Sequence, residues 1–138
     1  MIRFDDLKNK EINKIVFNYY ASVYKNKQTA FNEFKKLNML LDQNKCKLYR
    51  SGNTVFLLTF ADNEIQFHSM GNETSPFRFI KNLKQLFDLA KSIGVKAISS
   101  YSNEEIFDKI VAKMNLGITK DIKVNPDGIT YNYYRLEF

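Results

Sequence analysis

The stretch that most limits how this chain can fold runs over residues 64–117, where the hydrophobic period switches between strand and helix. Glu64-Ile-Gln-Phe-His-Ser-Met70 alternates apolar and polar residues, as a strand with two distinct faces does. Residues 71–75, Gly-Asn-Glu-Thr-Ser, are loop formers. Pro76 then opens a helix in which Phe79, Ile80, Leu83, Leu86, Phe87, Ala90 and Ile93 fall on one side. Gly94 closes that helix, residues 95–100 form the next strand, and Asn103 starts a helix that ends at Leu116-Gly117. A strand that feeds a helix through a polar loop leaves backbone N–H groups unpaired at the helix start, where phosphates are commonly held.

The segments on either side supply the rest of a single domain. Residues 5–44 read as two helices. Asp5 and Asp6 serve as N-terminal caps, and Leu7, Ile12, Ile15, Val16, Tyr19, Tyr20 and Val23 form the first apolar stripe. Lys25-Asn-Lys27 breaks the pattern. Gln28 or Thr29 then starts the second helix, with Phe31, Phe34, Leu37, Met39, Leu40 and Leu41 turned inward. Over residues 45–70 the period becomes two, and turns at 51–53 and 61–63 predict a three-strand antiparallel meander. Its middle strand, 54–60, is apolar almost throughout and is expected to be covered on both faces. Residues 118–124 and 129–138 flank Asn125-Pro-Asp-Gly128, the signature of a hairpin. Residues 1–4 offer only the stub of a first strand. A chain of 138 residues suits one core, and no linker divides it.

Composition narrows the function classes. The formal net charge is +6, but the lysines are scattered along the chain, which reads as a solvated surface or as attraction to a polyanion. Four arginines, Arg3, Arg50, Arg78 and Arg135, provide few bidentate donors for reading DNA bases, and no nucleic-acid motif accompanies the charge. Cys46 is alone and forms no internal disulfide. With the single His68 it lacks the third group that a nucleophilic site needs. No segment has the length of a membrane span and the N-terminus lacks a signal-peptide apolar region, so the expected location is cytoplasmic.

The order strand, polar loop, long helix, parallel strand, helix over residues 54–118 resembles the cofactor core of the GNAT acyltransferase superfamily. The matching pieces are residues 65–70, 71–75, 76–93 and 95–100, and the helix from Asn103 through Met114-Asn-Leu-Gly-Ile118, where the family has Leu-Gly-Phe. The resemblance implies a mixed α/β (α+β) fold with a central, mostly antiparallel twisted sheet of about six to seven strands and helices on both faces. Residues 1–44 would form its helical N-terminal part, 45–70 the meander, 71–117 the core and 118–138 the C-terminal hairpin. It also implies an acyl-CoA-dependent N-acyltransferase using acetyl-CoA on a small amine or a protein substrate. Met70, Gly71, Asn72, Thr74, Ser75, Arg78 and Asn103 are then the cofactor-binding candidates, and no metal is expected. Of the family's loop signature (Gln or Arg, two residues, Gly, any residue, Gly or Ala), only Gly71 stands here, and Pro76 removes one amide. Glu64 and His68 project from one face of their strand as candidate bases. Lys113 occupies the position of the family's acid Tyr, leaving Tyr101 as the substitute. The same degenerate loop, with the run Arg78-Phe-Ile-Lys81, resembles small GNAT-like proteins of tailed phages, some virion-associated. The alternative function is therefore an inactive GNAT-fold component that binds other phage structural proteins, in the host cytoplasm or the virion.

Overall fold

The structure, a computed structural model, describes residues 4–71 and 75–138. Helices α1 (Lys10–Val23) and α2 (Lys27–Asp42) precede strands β1 (Lys47–Ser51), β2 (Thr54–Ala61) and β3 (Glu64–Gly71). Then come α3 (Pro76–Ile93), β4 (Ala97–Ser102), α4 (Glu105–Met114), β5 (Thr119–Val124) and β6 (Thr130–Glu137). The strands form one six-stranded sheet in the order β1-β2-β3-β4-β6-β5. Only the β3–β4 contact is parallel; every other neighbouring pair is antiparallel. The expected fold class is what the chain adopts.

Alternation along β2 and β3 divides the interior in two. Phe56, Leu58, Ile65 and Phe67 point to the face covered by α3 and α4, where they pack with Leu83, Leu86, Phe107 and Ile110. Leu48, Val55 and Met70 point the other way, against Ile12, Val16 and Leu37 of α1 and α2. Helices therefore lie on both faces, and the first half of β2 is buried on both sides, as its apolar run predicts. On that opposite face α1 lies over β2 and β3.

The helical N-terminal part differs from the sequence reading at its boundaries. Asp5 and Asp6 do not cap α1. Asn9 does, accepting from the amides of Glu11 and Ile12, and Asn26 caps α2 in the same way. Asp5 instead forms a bridge with Leu48, its amide donating to the Leu48 carbonyl at 2.8 Å. Its carboxylate accepts from the Arg50 amide at 2.9 Å. The exposed edge of β1 needs those partners more than a free helix start does. Phe31, Met39 and Leu40, expected inward, are exposed, because the buried line of α2 is Ala30 and Leu37 and the helix packs chiefly against α1; Val23, the last residue of the α1 stripe, is exposed too. The last helix stops at Met114, where Asn115 takes the left-handed conformation before Leu116-Gly117 is reached.

Candidate active site

The sheet opens between its two parallel strands. β3 and β4 pair only at Glu64–Ala97, Ile65–Ile98 and Gln66–Ser99, and beyond that register they part. Ser100 stands at the fork: its hydroxyl is buried and donates to the Phe67 carbonyl at 2.8 Å. That carbonyl points across the gap. By the alternation of an extended strand, the backbone groups of Ser69 point the same way, with no paired β4 residue opposite.

The wedge leads into a cleft of about 290 Å³. Its walls come from both sides of the sheet: Tyr19 of α1, His68 through Gly71 of β3, Pro76 and Phe79 of α3, Ser100 through Ser102 of β4, and Glu104, Ile106 and Phe107 at the head of α4. Phe79, Ile106, Phe107 and Ile110 line its α3–α4 side, and Tyr19 and Glu104 stand near His68.

His68 Nε2 lies 2.6 Å from the Tyr19 hydroxyl, and the two rings meet edge to face at 5.5 Å. Its imidazole is open to solvent at the mouth of a concave wall, and the protein crowded around it pushes its pKa below the ordinary 6.5, opposed by the Glu104 carboxylate. Burial also raises the Tyr19 pKa, helped by Glu104 and Tyr24, so the phenol stays protonated. Tyr101 lines the same cleft, its ring 4.8 Å from that of Tyr133 and tilted to it.

Solved structures similar to the chain include acetyltransferases. The chain aligns with aminoglycoside 6'-acetyltransferase type Ii over 99% of its own length and 97% of that protein, with a TM-score of 0.66 at 11% identity. Against RimL, a ribosomal L7/L12 alpha-N-protein acetyltransferase, the shares are 99% and 88%, with a TM-score of 0.66 at 12% identity. Against the microcin C7 self immunity acetyltransferase MccE, in complex with acetyl-CoA and AMP, they are 98% and 90%, with a TM-score of 0.61 at 12% identity. The chain has the GNAT fold. No protein-family model matches its sequence, and no curated protein matches it.

Within the GNAT fold the wedge is where the remaining sequence candidates are to be placed. Gly71 has φ +122, and a Cβ there would come within 2.3 Å of the Asn53 carbonyl oxygen, so glycine is needed for the strand to pass the β1–β2 turn. Met70 both lines the cleft and belongs to the core beneath α1. Ser75 is the residue before α3, but its side chain makes no cap hydrogen bond. Pro76 occupies the first turn, and Phe79 is the first α3 residue whose amide reaches back, to the Ser75 carbonyl. This leaves the amides of Phe77 and Arg78 as the donors at that helix start. Asn72 and Thr74 lie outside the described residues.

Three candidates sit elsewhere. Arg78 faces a separate depression with Gly52, Asn53, Lys81 and Gln85 and does not line the cleft. Asn103 is exposed in the loop before α4 and caps nothing; Ser102 Oγ accepts from the Glu104 amide instead, at 3.1 Å. Glu64 lies at the zipped end of β3, away from His68. Arg135 Nε donates to its carboxylate at 2.8 Å, Ser99 at 2.8 Å and Tyr133 at 3.2 Å. Burial raises its pKa, but those three hydrogen bonds outweigh it and hold the carboxyl below its ordinary value. Conversely, Tyr19 and Glu104 were not legible as site residues. Tyr19 sits in a helical apolar stripe and Glu104 in a polar helix start, and neither pattern signals contact with a strand distant in sequence.

The residues present fit an acyl-CoA arm at its pantetheine end, where unpaired strand groups line an open slot. They fit its diphosphate end less fully, since Pro76 brings no amide. Among the described residues no group of His, Cys, Asp and Glu could hold a metal ion, and no helix is long and apolar enough to cross a membrane.

Proposed function

We propose that the chain is an acyl-CoA-dependent N-acyltransferase acting on an amine, with acetyl-CoA as the donor. The observation that carries this reading is the open wedge between β3 and β4, bordered by Ser69 and Gly71 and ending at His68. Ser69 would hold the pantetheine arm by strand-like hydrogen bonds, and the amides of Phe77 and Arg78 would face its phosphates. Bound acetyl-CoA supplies an activated acyl group.

The chain's own side chains supply the proton handling. His68, held neutral by its surroundings, takes the proton that an attacking amine must lose. Tyr19 fixes the imidazole at Nε2, and the Glu104 carboxylate favours the cation that His68 becomes. Tyr101, which lines the same cleft, would return a proton to the leaving group. Glu64 has no part in this scheme, because Arg135 already engages it.

A second reading has its own support. Pro76 and the outward turn of Arg78 thin the phosphate site, which favours a GNAT-fold scaffold without catalysis, such as a phage virion component. Isothermal titration with acetyl-CoA separates the two. Micromolar binding that CoA competes away, lost in a Ser69→Trp variant that fills the slot, supports the transferase. No heat at millimolar acetyl-CoA leaves the scaffold.

A further inference from the structure

The two edges of the sheet are treated differently. On one side, Asp5 bridges Leu48 and covers β1. On the other, β5 bonds to β6 alone, and all six of its residues are exposed, with Ile122 at 72% and Val124 at 69%. Among the described residues no backbone group outside β6 bonds to β5. An uncovered edge carrying large aliphatic side chains is a site for another strand.

The hydrogen-bond alternation identifies the groups that are available. The Asn125 amide donates to the Ile129 carbonyl at 2.9 Å, closing the hairpin. Counting back along the ladder, Lys123, Asp121 and Thr119 exchange bonds with Tyr131, Tyr133 and Arg135. The other side of β6 agrees: the Phe138 amide donates to the Lys96 carbonyl, so even-numbered β6 residues bond toward β4 and odd ones toward β5. Lys120, Ile122 and Val124 therefore turn their backbone N–H and C=O groups outward.

We propose that β5 pairs antiparallel with β5 of a second copy of this chain, about a two-fold axis through Ile122. The side chains select that register. With Ile122 opposite Ile122, each Asp121 faces a Lys123 on one face of the ribbon, and each Lys120 faces a Val124 on the other. Shifting the strands by one step of the ladder in either direction sets Asp121 against Asp121, or Lys123 against Lys123. Both alternatives place like charges directly opposite, which destabilises a strand pair. Only the Ile122-centred register matches every outward backbone group and pairs opposite charges. The interface is narrow, so the association is expected to be micromolar rather than tight.

Sedimentation velocity across a concentration series tests this, with circular dichroism confirming that each variant is folded. The native chain is expected to dimerise. Asp121→Lys turns both Asp–Lys pairs into Lys–Lys pairs and is expected to weaken the dimer about tenfold or more. Adding Lys123→Asp to it restores opposite charges and is expected to recover native affinity. A native chain that stays monomeric at about 100 µM overturns the proposal. So does a dimer indifferent to Asp121→Lys, or a folded double variant that fails to recover.

Discussion

In the proposed reaction His68 takes its character from two side chains remote from it in the chain, Tyr19 on α1 and Glu104 ahead of α4. As the proposed base it works only when neutral, and the protein crowded around its solvent-open ring holds its pKa below 6.5. The acidic limb of kcat/KM is therefore expected below pH 6.5, with a plateau above it. Glu104→Gln removes the charge that opposes this shift, so the limb is expected to move to still lower pH. His68→Ala is expected to lower kcat about a hundredfold and to abolish the limb, while acetyl-CoA affinity is retained. Glu64 makes the contrasting case, a carboxylate committed to architecture. Its folded pKa lies below its unfolded one, so its contribution is present above about pH 4.3 and is lost as pH falls through the folded value. Glu64→Gln is expected to cost about 1–2 kcal/mol in urea unfolding at pH 7, with the difference shrinking as the pH is taken below about 4.3.

At the level of elements, the β3–loop–α3 unit sets what the slot can hold. Gly71 lets β3 run past the Asn53 carbonyl in a backbone conformation that a side chain would strain. Gly71→Ala is expected to destabilise the fold by about 2–4 kcal/mol, measured by urea denaturation. Pro76 withholds an amide from the start of α3. Pro76→Ala returns it, and acetyl-CoA is expected to bind about fivefold tighter by calorimetry. The elements themselves were legible in the sequence where a period and a punctuating residue coincide. The α3 stripe runs from Pro76 to Gly94, the meander is marked at 51–53 and 61–63, and Asn-Pro-Asp-Gly sets the β5–β6 turn. The start of α1 was misread because Asp5 and Asp6 are good caps in isolation, while a strand edge claimed Asp5. Phe31, Met39 and Leu40 were misplaced because an apolar residue on a helix does not reveal how wide a face its neighbour covers. The association of Tyr19 with His68 has no local pattern, since it depends on where α1 crosses β3.

Across the whole molecule, the sheet has two unlike margins, β1 guarded by Asp5 and β5 bare. The expected parallel contact of β3 with β4 and their early parting were readable from element order, through resemblance to a known architecture. The asymmetry of the margins was not, because Asp5 lies in a segment whose residues suggest a helix. If β5 joins two copies, growth ends there, since each copy offers only one adhesive rim. Asp5 thus acts as a chain terminator. Removing residues 1–8 would leave every subunit sticky at both rims, and the product is expected to be open-ended fibres, visible as rising light scattering where the intact protein stays clear.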